Sequence, residues 1–303
     1  MKRKFRNLTT ISGVSNVLLN VFFLLYSVAC VAPLLLVIAV SFTEEKTIYL
    51  TGYKFFPQKL SLEAYKFVFT NVDQVMRAYG VTVLVTVVGS LTSLLFTSML
   101  AYVMSRKDFR YRKQLAFYVF FTILFNGGFV PWYVICVRLF HLKNTLWALI
   151  LPYLINGWYV IIMRTFFAAN VPDEILDSAR IDGAGELRTF FTIVVPIAVP
   201  GLATIGLFNV LTYWNDWWLP LTLISNEKLY NLQYLMYKVE LDIQYLKQAR
   251  QAMGAIALKE LMQIPSETSR MAMAIIAIGP IVMAYPFFQR YFVKGLTIGA
   301  LKG

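Results

Sequence analysis

The sequence predicts an all-α polytopic membrane protein with six transmembrane helices, on two compositional facts and one pattern. Hydrophobic residues make up 58% of the 303-residue chain and charged residues only 15%, where soluble domains run at roughly 45–50% and 25%. The mean hydropathy is +0.62. The apolar excess is gathered into six uncharged runs, 7–43, 78–105, 114–137, 144–163, 189–215 and 271–289. Each reaches or approaches the ~20 residues that cross ~30 Å of hydrocarbon at ~1.5 Å per residue.

Span one is expected at about 14–42, after the basic start MKRKFR. Its apolar core is far longer than the ~7–15 residues of a signal-peptide core, so it reads as a retained anchor helix. The segment 43–77, with Glu44, Glu45 and several aromatics, is expected outside. Span two, about 78–105, carries Ser, Thr and Gly89 at close spacing, which suits tight helix contact. Span three, about 114–138, meets NGGFVP at 126–131. Either a neighbour or cavity satisfies an interrupted helix there, or the helix ends and a short re-entrant or interfacial helix follows at 131–140. Span four is expected at 144–167, span five at 197–224 and span six at 270–292. A polar loop over 170–196 and an outer segment over 225–269 join the last three, and a short basic tail closes the chain. No internal repeat and no appended soluble domain are visible, so 1–303 reads as a single domain.

The net charge of +12 raises nucleic acid as a partner, but its distribution argues for a membrane. With the N-terminus inside, segments 1–13, 105–114, 164–196 and 289–303 hold 15 of the 28 Lys/Arg and 6 of the 16 Asp/Glu. The clusters KRKFR and SRKDFRYRK then face the cytoplasm, as the positive-inside rule requires. Both termini are expected inside, in a multi-pass protein of the cell (inner) membrane that binds no nucleic acid. Cys30 and Cys136 fall in apolar runs and read as packing residues.

The polar loop reads as two short helices joined at a glycine turn. Pro172 suits a first turn, Asn170 is a candidate cap, and Asp173 and Glu174 lie at the positive helix end. Ile175, Leu176 and Ala179 are expected on one face, Asp173, Asp177 and Arg180 on the others. Gly183 stands where the helix must stop in a left-handed conformation. The residues leave two readings open: an interfacial helix resting on lipid, or a rigid knob presented to a cytoplasmic partner.

The stretch PDEILDSARIDGAGELRTFFTIVVPIAVP resembles the EAA loop of ATP-binding-cassette importer permeases, E-A-A-x-x-D-G-A followed by F-x-x-I-x-x-P. Asp177, Ser178 and Ala179 stand at the EAA positions, followed by Asp182, Gly183 and Ala184, then Phe190, Ile193 and Pro196. Asp for Glu and Ser for Ala are departures. FNGGFVPWYVI, NTLWALILPYLINGWYVIIMRTFF, WNDWWLPLTL and QRYFVKGLTIGALKG are similar to carbohydrate-uptake permeases of the maltose type, most of all the branch for complex oligosaccharides such as alginate fragments. The resemblance implies a type I importer permease fold and an ATPase-coupling contact at Asp177, Ser178, Ala179, Asp182, Gly183 and Ala184. It also places Lys302 in a tail reaching toward the ATPase. The implied partners are a second homologous permease, a dimer of ATPase subunits and a sugar-binding protein on the outer side.

No G-x-x-x-x-G-K-[ST] phosphate cradle occurs, and the chain contains no Gly-Lys dipeptide. ATP and Mg are therefore expected on the partner ATPase, with no cofactor or metal on this chain. The lone histidine, His141, reads as solvated, so no catalytic set is expected and the chain is not expected to be an enzyme. For a sugar, WNDWW at 214–218 offers aromatic faces and hydrogen-bonding side chains. It places Trp214, Asn215, Asp216, Trp217 and Trp218 on a substrate path ~30 Å along span five. An aromatic belt is the rival reading. Asn156 is a cavity candidate or a polar contact between helices. The outer segment 225–269 reads as a surface for the binding protein or as an amphipathic helix on the membrane. Rival functions are a permease of the same kind for a non-sugar solute, an ion-coupled transporter, for which the spans carry few acids, and a membrane enzyme.

Overall fold

A computed structural model of the chain describes residues 13–251 and 267–300, the side chains of Asn71 and of parts of 246–251 and 283–300 excepted. The basic start, residues 252–266 of the outer segment, and Lys302 lie outside the described residues. Fourteen α-helices follow in order among them. α1 is Gly13–Ser41, α2 Glu45–Thr51, α3 Glu63–Val68, α4 Val72–Ser105 and α5 Arg112–Leu124. α6 is Phe129–Val134, running into a π turn over Ile135–Leu139, and α7 is Gly157–Asn170. α8 is Asp173–Ile181, α9 Glu186–Thr189, α10 Val195–Ile197, α11 Val199–Trp214 and α12 Trp218–Leu223. α13 is Leu232–Gln251 and α14 is Glu267–Ala300. The extended pairing among the described residues is one isolated bridge, Thr43 to Leu60.

α1 shows why the chain needs lipid. Its 29 residues bury only Val40 and Ser41, while Phe22, Leu24 and Tyr26 are 61%, 64% and 63% exposed. A helix that is apolar all round and unburied is at home in hydrocarbon or against another chain. Pro33 sits inside it, a placement that membrane helices tolerate.

The chain divides into two compact units. The first holds the chain up to Thr70 together with Ile243–Ile276. Its organising contact is the buried carboxylate of Glu45 in α2. It accepts from the backbone N–H groups of Glu267 and Thr268, both at 2.9 Å, and from the Thr268 hydroxyl at 2.7 Å. An acid at the positive end of α14 satisfies donors that the first turn of a helix leaves open.

The second unit holds Asn71–Asp242 and the chain from Ala277. α4 is its spine, and α7 and α11 pack along it. The packing is close because α4 buries small and hydroxylated residues, Thr82, Thr86, Gly89, Ser90, Ser93, Thr97 and Ser98. At the tightest point, a Cβ on Gly89 would stand 2.7 Å from the Tyr213 ring. The Tyr213 hydroxyl is anchored in turn, donating to the Ile150 carbonyl at 3.0 Å. One apolar cluster, built around Tyr102, Met163, Phe167, Phe190 and Ile205, lies toward one end of α4. A second, around Val85, Leu149, Tyr213, Leu219 and Tyr230, lies toward the other.

The expected spans are helical, but three of them are broken. α1 and α4 are each long and apolar enough to cross a membrane alone, and three bent helix pairs raise the number to at most five among the described residues. The sixth expected span lies within α14. In span three, α5 ends at Leu124 and Phe129–Leu139 leaves at 115°, too sharp for a kinked continuous helix. In span four, 3-10 turns over Leu146–Tyr153 meet α7 at 51°. α7 starts at Gly157 because the Asn156 side chain accepts from the Trp158 and Tyr159 N–H groups, a polar cap that begins a new helix. Asn144, at φ 60°, accepts from the N–H groups of Ser225 and Asn226 at 2.6 and 3.0 Å. Span five begins where α9 through α10 meets α11 at 87°, with prolines seated in the first turn of both α10 and α11. It is not one helix to residue 224. α11 stops at Trp214, so Asp216 stands one short helix of ~24 Å from the bend rather than ~30 Å along an unbroken span.

Replacing Gly89 by Leu forces a side chain into the Tyr213 ring and is expected to cost about 1–3 kcal/mol. Thermal unfolding of the detergent-solubilised protein, followed by tryptophan fluorescence, reads this as a lowered Tm. Tyr213→Ala in the same chain is expected to restore part of it, and an unshifted Tm for Gly89→Leu would contradict the close crossing.

Candidate functional site

The polar loop folds as two short helices about a glycine turn. The cap expected of Asn170 is not made: its amide donates back to the Phe166 carbonyl at 2.9 Å within α7. Pro172 holds the cap position of α8 instead, at φ −64° and ψ 140°. Asp173 and Glu174 occupy the first turn of α8 and Arg180 the last, each complementing the helix dipole. Leu176 and Ala179 are buried at 3% and 5% exposure. Leu176 joins the cluster of Tyr102, Phe167, Val171, Phe190 and Val194. Ile175, expected on the same face, is 41% exposed. Ile175 lies ~100° round the helix from Leu176, at the edge of the buried stripe.

α8 ends in a Schellman turn. The Ala184 N–H reaches the Ala179 carbonyl at 2.9 Å and the Gly183 N–H reaches Arg180 at 3.0 Å. Gly183 takes φ +78°, the left-handed geometry that glycine adopts without penalty. The six EAA-type residues therefore divide by role. Ala179 faces inward and Ala184 is half-buried, while Asp177, Ser178, Asp182 and Gly183 are exposed. Ser178 donates to the Glu174 carbonyl at 2.9 Å. Ile181, between the acids, is 87% exposed.

Charges join this loop to the corner between α4 and α5. Lys107 pairs with Asp173 at 2.8 Å. Arg180 pairs with Glu186 at 2.8 Å and also with Asp108. Arg106, almost fully buried, donates to both carboxylate oxygens of Asp108, at 3.2 and 3.4 Å. The Tyr102 hydroxyl donates to Glu186 at 3.3 Å. The hydrogen bond with Lys107 holds the Asp173 carboxyl below the usual range, and the same bond raises Lys107. Burial pushes Asp108 up, but hydrogen bonds from Arg180 and Arg106 outweigh it and leave the carboxyl lowered. A cavity of about 460 Å³ lies beside this network, walled by Met99, Tyr102, Phe109, Tyr111, Leu187 and Phe190 with Arg106 and Arg180 at its polar side. Lys107, Asp108 and Glu186 had no place among the expected site residues. An acid inside the basic run SRKDFRYRK was the one visible signal.

The residues expected on a substrate path scatter. Trp214 is buried and its indole N–H donates to the Ala277 carbonyl at 3.0 Å. Asn215 is exposed, its amide bonded to the Leu211 carbonyl at 3.0 Å. Asp216 is 8% exposed. One of its oxygens accepts from the Trp218 and Leu219 N–H groups at 3.1 and 3.2 Å and from the Tyr153 hydroxyl at 3.2 Å. It thus starts α12, and its own carbonyl accepts from the Asn231 amide ahead of α13. Trp217 is 42% exposed and packs on Tyr237, ring centres 4.8 Å apart. Trp218 packs on Trp132 at 4.8 Å, with Phe129 at its edge. Asn156 is exposed and capping. The structure thus gathers Tyr153, Asp216, Trp218 and Asn231 into one junction and leaves Asn156 and Asn215 at exposed positions. No cluster of three or more His, Cys, Asp or Glu side chains placed for a metal occurs among the described residues. Cys30 is exposed, Cys136 is buried, and both are free.

Comparison with known proteins places this geometry in context. Residues 98–298 match the model of the family described as binding-protein-dependent transport system inner membrane component. The polygalacturonan/rhamnogalacturonan transport system permease protein of Bacillus subtilis is 35% identical over 282 residues, 93% of this chain and 96% of the relative. The arabinooligosaccharides transport system permease protein of Halalkalibacterium halodurans is 29% identical over 313 residues, covering 100% of each. Among solved structures, a bacterial ABC transporter involved in the import of the acidic polysaccharide alginate matches with a TM-score of 0.74. It is 25% identical, over 92% of this chain and 96% of that chain.

Asp216→Ala strips the cap from α12 and leaves two N–H groups open, an expected loss of about 1–2 kcal/mol. Asp216→Asn keeps an acceptor and is expected to lose less. Chemical denaturation of the solubilised protein measures both, and equal stability of all three forms would show that the cap contributes nothing.

Proposed function

Because the chain belongs to the family of binding-protein-dependent transport system inner membrane components, we propose that it is a membrane-spanning subunit of an ATP-driven importer of oligosaccharides. It crosses the membrane six times with both termini in the cytoplasm and pairs with a second, homologous permease. A sugar-binding protein delivers the substrate on the outer side. A dimer of ATPase subunits binds ATP and Mg and hydrolyses the nucleotide on the inner side. The chain itself is not an enzyme. Its part is alternating access, a rigid-body change between inward- and outward-facing arrangements driven by what docks on it.

The observation that carries this reading is the divided surface of α8. Leu176 and Ala179 root the helix in the apolar core, while Asp177, Ser178, Ile181, Asp182 and Gly183 are presented outward. A helix resting on lipid would turn its apolar side outward and its charges away. Here Leu176 and Ala179 are already buried, and an acidic tip flanked by two exposed isoleucines, Ile175 and Ile181, is left for a protein partner. Asp177, Ser178, Asp182 and Gly183 form the docking contact, with Ala179 and Ala184 supporting it from beneath. On the substrate side, Asn215, Trp217, Trp218 and Asn156 offer accessible aromatic faces and amides, and Asp216 and Trp214 hold them in place. The rival of an ion-coupled carrier finds little support. Asp216, a buried acid of the spans, has its carboxylate taken up by two backbone N–H groups and a tyrosine.

The substrate follows from the company of the chain. One relative's name specifies polygalacturonan and rhamnogalacturonan, and the structural neighbour imports an acidic polysaccharide. Oligosaccharides bearing uronic acids are the first to test. Co-expressed with its ATPase and second permease, the chain is expected to carry the ATPase through purification. Asp177→Lys and Ile181→Asp are expected to reduce the ATPase recovered several-fold at unchanged Tm, and undiminished recovery would refute the docking contact. ATP-dependent uptake of galacturonate oligosaccharides by reconstituted vesicles is expected. Uptake of a non-sugar solute in its place would refute the substrate class.

A further inference from the structure

The backbone ties α8 to two neighbours only: to α7 through Val171 and Pro172, and to α9 through the turn at Gly183. A push on α8 would travel by those routes to α7 and α11. The structure adds a third route that the chain order does not contain. Asp173, in the first turn of α8, is paired with Lys107, and Arg180, in the last turn, is paired with Asp108. The two points lie seven residues apart, ~10 Å along the helix, and both reach the short corner 106–111 that joins α4 to α5. One pair would act as a pivot; two pairs at opposite ends remove the swing. Between them Leu176 is buried in the cluster that contains Tyr102 of α4, a third point off the line of the other two. Three such points hold one body to another.

Asp108 is the centre of this arrangement. It is gripped from the α4 side by Arg106, whose side chain is only 9% exposed, and from the α8 side by Arg180. Arg180 continues through Glu186 to the hydroxyl of Tyr102, closing a ring back onto α4. Exposed ion pairs contribute little stability singly. Their value here is geometric: Arg106 grips both oxygens of Asp108 and fixes the orientation of the carboxylate that Arg180 meets from α8.

We propose that Asp108, with the Lys107–Asp173 pair, is a positioning device that makes α8 and the α4–α5 corner a single moving piece, so that force applied to α8 is delivered directly to α4 and α5. The proposal rests on the reading of α8 as the ATPase-docking helix. The assay uses the full complex in vesicles with its binding protein, galacturonate oligosaccharides and ATP, and reads sugar taken up per ATP hydrolysed. Asp108→Asn is expected to lower that ratio several-fold while the ATPase recovered with the complex is unchanged, and Asp108→Glu to restore it. A ratio equal to wild type in Asp108→Asn would overturn the proposal.

A second variant covers the case in which Asp108→Asn fails to fold. Lys107→Cys with Asp173→Cys, in a Cys30→Ala, Cys136→Ala background, is bridged by a short bifunctional thiol reagent. If the two parts move together, the bridge leaves uptake and ATP hydrolysis unchanged. If bridging arrests turnover, they separate during the cycle and the proposal is wrong. A wild-type complex that neither retains ATPase nor takes up sugar would refute the docking reading itself, a failure distinguishable from the others because it precedes any substitution.

Discussion

The burial of Leu176 and Ala179 is the contact on which one end of the second unit depends. Fully burying a leucine side chain contributes roughly 1.5–3 kcal/mol. Here that contribution fastens a nine-residue helix, too short to be stable alone, to the end of the membrane-spanning core. The cluster beneath it draws on α4, α7 and α11 together. α8 is therefore the lowest layer of the bundle rather than an appendage, and the Schellman turn at Gly183 ends it abruptly enough for Phe190 and Val194 to pack under the same roof. Once the apolar side is committed inward, the acids of the loop have nowhere to go but out. A polar loop in an oily chain thereby becomes a presented surface.

A second constraint shapes the other end of the second unit. In hydrocarbon every backbone N–H and C=O must find a partner, so a broken helix needs side chains at each break. Three such positions here carry them. Asn156 receives the first N–H groups of α7, Asp216 those of α12, and Asn144 those of Ser225 and Asn226. Close helix contact then comes from small residues: without a Cβ at Gly89, Tyr213 lies against α4 and donates to Ile150, joining α11 to the 3-10 turns. The aromatic pairs Trp132–Trp218 and Trp217–Tyr237 are mounted on these capped breaks.

Hydropathy made α1 legible nearly to both ends and α4 to its C-terminal end, because a long uncharged run has one interpretation in a membrane. The glycine turn at 183 was legible for a similar reason, since a helix stop, an Asp-Gly pair and a second apolar run admit few arrangements. Hydropathy could not show where Asn156 or Asp216 would interrupt their helices. Both sit in runs whose average is strongly apolar, and a cap is a property of one side chain, not of a window. For the same reason the sequence does not show that the carboxylate of Asp216 is occupied by α12. The Asp108–Arg180 contact was out of reach altogether. Its partners are 72 positions apart, and only the packing of α8 onto α4 brings them together.

The central claim is that α8 is rooted in the core and meets its partner through the surface at Asp177 to Ala184. Hydrogen exchange followed by mass spectrometry, on the permease pair with and without its ATPase, tests it most directly. Without ATPase, the amides of 176–181 are expected to exchange slowly, as a helix packed on the core does, and on ATPase addition further slowing is expected to centre on 177–184. Fast exchange across α8 in the absence of ATPase, or no change at 177–184 in its presence, would contradict the claim.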